Sequence, residues 1–387
     1  MRGFKRVKWA PVAGNGRYQV QRTARLLEEG VRKGVFPGAV LIAAHKGEVR
    51  FLKAVGNRAL FPQQEPMAPD TIFDLASLTK PLATSVALMK LVDNEELDLD
   101  EPLEHILEGE GLGDKAPLTP RLLLCHRSGL PDWRPYFQEI REARPGDPKR
   151  FFRKRILSER LVCEPGAQAL YSDLGFMLLE WVVEKRSGKP LDTFLHENIY
   201  GPLGLKDMFL YRRETKSPQR PPDRFAATER CPWRGEVLCG VVHDENAYAA
   251  GGYSGHAGLF GTAREVYVLA DLLADHYRGV REDQFRPDTV RTFLSPPHDQ
   301  DGAAWALGWD TPSGEDSSAG RFFSRESVGH LGFTGTSLWM DLQREVIVVF
   351  LTNRVHPSRQ NEAIRSFRPR IHDSVMLDLF SGDGRRP

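Results

Sequence analysis

Strand-forming runs gather at the two ends of this chain, and helical runs fill its middle. That order limits the fold more than any other feature. Tyr18 to Lys33 carries Val20, Leu26, Leu27 and Val31 among charged residues, the spacing of an amphipathic helix. Ala39–Ala44 and Glu48–Leu52 then flank a His45-Lys46-Gly47 turn and read as a β-hairpin. In the last third, Leu307–Asp310, Ser337–Asp341 and Val346–Leu351 are short runs of β character, and a helix is expected over Asn361–Phe380. Between these ends, Thr119–Cys125 and Leu174–Ser187 have helical apolar spacing. Loops rich in proline and glycine separate them, such as Arg144–Pro148 and a long exposed loop over Ser217–Pro222. The charge run Arg150–Arg160 reads as a solvated helix face. This order predicts a sheet built from both ends of the chain, with a helical unit inserted between them.

Composition excludes several classes of function. Among 387 residues, 53 basic and 52 acidic side chains nearly cancel, so charge gives no reason to expect nucleic acid or an anionic membrane as partner. No run approaches the length of a membrane-spanning helix, about 20 apolar residues. The basic start, Met1–Ala10, is followed by no apolar stretch of the kind a secretory signal needs. Cys125, Cys163, Cys231 and Cys239 are few and scattered, which fits reduced thiols and a cytoplasmic location.

The chemistry starts at Ser77-Leu78-Thr79-Lys80, which opens an apolar, helix-forming run to Lys90. On a helix, residues three apart share a face, so the Ser77 hydroxyl and the Lys80 amine would meet. A serine hydroxyl becomes a nucleophile when a nearby base takes its proton. Lysine can be that base if its surroundings lower its pKa. Unpaired N–H groups at the helix start would stabilise charge developing beside Ser77. This is the layout of a serine acyl-transfer enzyme.

Two further segments extend the pattern: Tyr171-Ser172-Asp173, and His330-Leu331-Gly332 followed by Phe333. With them the sequence resembles the penicillin-recognising serine hydrolases, in the branch of class C β-lactamases, related esterases and D-aminopeptidases. His126–Leu130, Gly201–Leu205 and Gly255–Phe260 resemble secondary landmarks of that family. The resemblance runs from about Arg32 to about His356. It implies an α+β, β-lactamase/transpeptidase-like fold: an antiparallel sheet flanked by helices, with an inserted helical domain. We expect residues 1–80 and 295–387 to form the sheet domain and 81–294 the helical one, with a single active site between them. It also implies roles. Ser77 is acylated, and Lys80 and Tyr171 handle the proton, the phenol being lowered by the ammonium or sharing one proton with it. The backbone amides of Ser77 and Phe333 bind the oxyanion. His330, Gly332 and Asp173 line the substrate position.

Departures from the family pattern bear on the substrate. Asp173 stands where Asn is usual; an ionised Asp only accepts hydrogen bonds, and could pair with Lys80 and hold it charged. His330 replaces a lysine that helps bind the carboxylate of β-lactams. Leu331 removes a threonine hydroxyl. Together these favour an esterase or amidase acting on a small ester, amide or muropeptide-like molecule over an efficient β-lactamase, and the complete Ser77, Lys80 and Tyr171 set argues against a penicillin sensor that acylates without turnover. No metal or cofactor is expected, because His243-Asp244-Glu245-Asn246 and His256 match no strong ligand spacing. The glycine-rich stretch Gly251–Gly258 lacks the G-K-[ST] ending of a phosphate loop and reads instead as a border of the active cleft.

Overall fold

Every residue of the strand Gly38–His45 is buried, because the sheet around it is covered on both faces. In the computed structural model, which describes residues 8–9, 20–214, 220–295, 305–314 and 317–381, that sheet comprises β1 (Lys8–Trp9), β2 (Gly38–His45), β3 (Glu48–Ala59), β4 (Glu65–Pro66), β5 (Ser327–Leu331), β6 (Ser337–Asp341) and β7 (Val346–Thr352). Its order is β1-β3-β2-β7-β6-β5, with β4 paired to β3. All pairings are antiparallel except the short one between β1 and β3. β2 meets β7 from Ala39↔Thr352 to His45↔Val346, which joins strands from opposite ends of the chain.

Side chains alternate across a strand, so each strand feeds two cores. Ala39, Leu41 and Ala43 of β2 join Val346, Val348 and Phe350 of β7 on one face. Helices α1 (Gln21–Arg32) and α5 (Ile364–Phe380) cover that face through Leu27, Phe367, Ile371 and Val375. Val40, Ile42 and Ala44 join Ile347, Val349 and Leu351 on the other face. There they meet the larger core of α2 (Val86–Asp93), α3 (Asp173–Ser187) and α4 (Ala263–Tyr277).

The main helices follow local rules. In α3, Leu174 to Val183 are all buried, so this helix runs through the interior. Its start is capped by the Ser172 hydroxyl, which accepts the Gly175 N–H at 3.2 Å. Gly188 at φ +67° ends it in the left-handed conformation that glycine adopts most readily. The charge run forms the helix Pro148–Ser158 and is only partly solvated. Phe152 and Ile156 are buried, and Lys149 and Arg153 reach Glu180 and Glu184 of α3.

The expected strand at Leu307–Asp310 is a tight turn instead. Gly308 takes φ +83°, and a Cβ there would lie 1.9 Å from Ser85 Oγ, so the backbone folds back against the segment before α2. Only isolated bridges, Ala306↔Trp309 and Asp310↔Gly329, mark it. Part of the 217–222 loop lies outside the described residues. All four cysteines are free thiols. In the hairpin of Ala227–Cys231 with Glu236–Cys239, Cys231 faces Glu236 and Cys239 faces Ala227. Among the described residues no helix is long and apolar enough to cross a membrane.

Leu88 is wholly enclosed in the larger core. Leu88→Ala should therefore lower the unfolding free energy by about 3 kcal/mol, read from denaturant melts.

Candidate active site

The turn that carries Ser77 is held under local strain. Ala76 sits at φ +49°, a conformation that costs a non-glycine residue about 1–2 kcal/mol. Asp74 holds it there: one carboxylate oxygen accepts the Ala76 N–H at 2.9 Å and the other the His243 N–H at 2.6 Å. Ala76–Leu78 form a 3₁₀ turn and Lys80–Ser85 a wider π-type turn; regular α2 begins only at Val86. Sequence spacing alone placed the α-helix start at Ser77. Pro81, which has no N–H to donate, accompanies the widened turn. The two side chains still converge, with Lys80 Nζ 3.3 Å from Ser77 Oγ.

Lys80 is fully buried, and two segments, 171–173 and the stretch around His256, meet around it. The Asp173 carboxylate at the start of α3 lies 2.6 Å from Nζ. The Tyr171 ring centroid is 4.7 Å away. The His256 carbonyl accepts at 3.4 Å, so the Gly251–Gly258 stretch does border the site. Gly255 is required there: a Cβ would come within 2.0 Å of the Phe176 carbonyl.

Burial opposes the Lys80 ammonium, but the Asp173 carboxylate and Tyr171 outweigh it, so the lysine pKa is raised. Burial also pushes the Tyr171 phenol up, further than the Lys80 ammonium pulls it down. The expected lowering of the phenol is therefore overturned by desolvation. At rest the site holds an ammonium at Lys80 and a neutral phenol at Tyr171.

Two neutral histidines pack against that phenol. His126, in the left-handed conformation at φ +57°, accepts the Ser172 N–H on Nδ1 at 3.0 Å, and its ring centroid is 4.6 Å from that of Tyr171. Burial, with Lys80 nearby, pushes its pKa well below the usual histidine value. His330 on β5 donates from Nδ1 to the Leu331 carbonyl at 2.8 Å, which leaves a buried Nε2 lone pair without a partner among the described residues. Burial and the Lys80 charge hold its pKa at about 3. Its ring centroid is 6.0 Å from that of Tyr171 and 5.6 Å from that of Trp305.

Gly332 and Phe333 open the turn between β5 and β6. The Thr334 hydroxyl donates to the Asp74 carbonyl at 2.8 Å and the Thr336 hydroxyl to the Leu75 carbonyl at 3.0 Å. These bonds tie the turn to the backbone just before Ser77. A Cβ on Gly332 would sit 1.9 Å from Thr336 Oγ1 and 2.6 Å from the Leu75 carbonyl. The N–H groups of Ser77 and Phe333 take no hydrogen bond within the described residues. The Phe333 ring is half-exposed and stacks on His243. Sequence reasoning singled out neither Trp305 nor the two arginines behind the turn, Arg354 and Arg368. It noted His126 only as a landmark. None of these carries a local motif of its own. Among the described residues the histidine–acid contacts, His243–Glu229, His256–Asp244 and His276–Asp283, each join one histidine to one carboxylate, and no group of three or more possible metal ligands gathers.

Comparison with known proteins places this geometry in context. The family model described as Beta-lactamase matches residues 23–368. The chain is 32% identical over 367 residues to an N-acetylmuramyl-L-alanine amidase of Bacillus subtilis (strain 168), covering 87% of this chain and 81% of that protein. It is 30% identical to a protein of Escherichia coli (strain K12) provisionally named D-alanyl-D-alanine carboxypeptidase, covering 83% of this chain and 79% of the other. Among solved structures it resembles EstCE1, a hydrolase with promiscuous acyltransferase activity, with a TM-score of 0.66, 23% identity, and coverage of 90% of this chain and 98% of that one.

Gly332→Ala should push the turn away from Leu75 and lower kcat by about tenfold or more, with folding checked by circular dichroism. Long-range ¹H–¹⁵N NMR between pH 5 and 8 should find His330 neutral with its proton on Nδ1, and His126 neutral with its proton on Nε2, at any pH in that range.

Proposed function

Because the chain belongs to the β-lactamase family of serine hydrolases, we propose that it cleaves an amide or ester of a muropeptide-like small molecule through an acyl-enzyme at Ser77. One observation carries this reading: a single buried ammonium, Lys80 Nζ, touches both Ser77 Oγ and Asp173 Oδ1 beside the Tyr171 ring. The proton path follows from it. As Ser77 Oγ bonds to the substrate carbonyl carbon, its proton passes to Lys80 while Lys80 gives one to Asp173. The tetrahedral oxyanion is received by the free N–H groups of Ser77 and Phe333. Tyr171 then protonates the leaving group and is refilled from Lys80, and Asp173 returns its proton to Lys80. Water enters by the reverse route and releases the acid.

The same reading covers the layout and the substrate. The sheet domain (1–80 and 295–387) and the helical domain (81–294) act as one catalytic unit. Ser77 and His330–Phe333 come from the first, Tyr171 and Asp173 from the second. A neutral His330 offers a lone pair and no positive charge for a substrate carboxylate. This favours amide cleavage of the kind named for the Bacillus subtilis relative over carboxypeptidase or β-lactamase action. Four free thiols favour a cytoplasmic site of action.

Steady turnover of p-nitrophenyl butyrate and of an N-acetylmuramyl-L-alanyl amide should vanish in Ser77→Ala, a loss of about 10⁴-fold or more. Mass spectrometry after fluorophosphonate treatment should find the adduct on Ser77. An adduct elsewhere, or a burst of product without steady turnover, would overturn the reading. Charge on Lys80 is retained above its ordinary value of 10.5 while Asp173 is present. Asp173→Asn leaves burial unopposed by a carboxylate, so the alkaline limb of kcat/KM should move to lower pH; a limb that stays put would show that Asp173 does not hold that charge.

A further inference from the structure

Behind the turn at the proposed oxyanion site, helix α5 places a buried cation with no anion. Arg368 on α5 is 7% exposed, and no carboxylate pairs with it among the described residues. Its charged neighbours, Arg354 and Arg365, are of the same sign and, together with burial, push its pKa down to about 9, still charged at neutral pH. A buried, unpaired guanidinium is costly, and packing alone would be served by an apolar side chain. Arg368 Nη2 donates to two main-chain carbonyls, Gly332 at 2.7 Å and Thr336 at 3.1 Å. Arg354 does the same one peptide further on, with Nε donating to the Phe333 carbonyl at 2.8 Å.

The Gly332 carbonyl and the Phe333 N–H belong to one conjugated peptide unit. A cation at the oxygen end draws electron density away from the nitrogen and strengthens the N–H as a donor. We propose that Arg368 is a positioning residue for hydrolysis: it polarises the Gly332–Phe333 peptide so that the Phe333 N–H binds the developing oxyanion more strongly than the ground-state carbonyl. Gly335 N–H also donates to the Gly332 oxygen, at 3.0 Å, and Arg354 fixes the next peptide, so the Phe333 N–H cannot rotate away without breaking both. The effect grows as negative charge forms on the substrate, which makes it act on kcat and not on KM.

This inference rests on the reading of Phe333 as an oxyanion donor, and the test separates the two. Replacing Phe333 by phenyllactic acid turns the Gly332–Phe333 amide into an ester, which removes the N–H and keeps every side chain, and should lower kcat for p-nitrophenyl butyrate by about 10²-fold. An unchanged kcat there would defeat the oxyanion reading and the inference with it. Arg368→Gln, which keeps a hydrogen-bond donor but no charge, should lower kcat by about tenfold with KM within about twofold. Its affinity for phenylboronic acid, which forms a tetrahedral anion on the serine, should fall by the same factor. A purely structural arginine would lower the melting temperature and leave the boronate affinity untouched. A folded Arg368→Gln protein with unchanged kcat and boronate affinity, beside a damaged phenyllactic acid variant, would overturn the Arg368 proposal alone. If Arg368→Gln does not fold, Arg368→Lys decides. A buried lysine among like charges loses its proton at lower pH than the arginine does, so the kcat of this variant relative to wild type should fall by about tenfold between pH 6 and 8, where Arg368 itself keeps its charge. A pH-independent ratio would overturn the proposal.

Discussion

A buried ammonium that cannot be left alone organises the centre of this protein. Lys80 has no exposed surface, and an isolated charge there would be untenable. Its partners arrive from different parts of the chain: Asp173 from the head of α3, Tyr171 from the loop before it, and the His256 carbonyl from a glycine-rich stretch. Satisfying one charge therefore fixes two segments, 171–173 and the stretch around His256, relative to the Ser77 turn. The close Gly255–Phe176 approach and the His126–Ser172 hydrogen bond look peripheral, yet each sets where one of those partners stands.

A second constraint works on the opposite wall. Thr334 and Thr336 bind carbonyls of Asp74 and Leu75, two residues that are neighbours of Ser77 but far from the threonines in sequence. These bonds bring the free Phe333 N–H into register with the nucleophile turn. Asp74 adds to the same effect through its grip on Ala76 and His243. The strain at Ala76 thus sits between two anchored backbones, which is the setting in which a strained conformation persists.

How much of this could be read from the sequence depended on range. The hairpin at 38–59, the strands 337–341 and 346–352 and helix α5 were legible because their periodicity is local. The Ser77–Lys80 meeting was legible because three-residue spacing survives the change from α to 3₁₀ geometry. Leu307–Asp310 misled because its β-favouring side chains flank a glycine whose role, close approach to Ser85, is set by tertiary contact. The Tyr171 ionisation was misjudged for a related reason: sequence supplies the neighbouring charge but not the depth of burial that outweighs it. Arg368 and Trp305 belong to no motif. Their place beside the site exists only once β5, α5 and the central sheet have assembled.

The pairing of β2 with β7 carries a consequence for how the molecule is made. Ser77, Lys80, Tyr171 and Asp173 have all been translated long before Val346–Thr352 emerges to lie beside Gly38–His45. Until that late strand docks, β2 lacks one neighbour, and β6, which follows the turn bearing Phe333, lacks the strand that joins it to β2. Pairing at such long sequence separation is slow to form. The nascent chain therefore carries Ser77, Lys80, Tyr171 and Asp173 for a long stretch of its synthesis before the strand that completes the sheet beside the Phe333 turn is made, and the proposed site is completed only late in assembly.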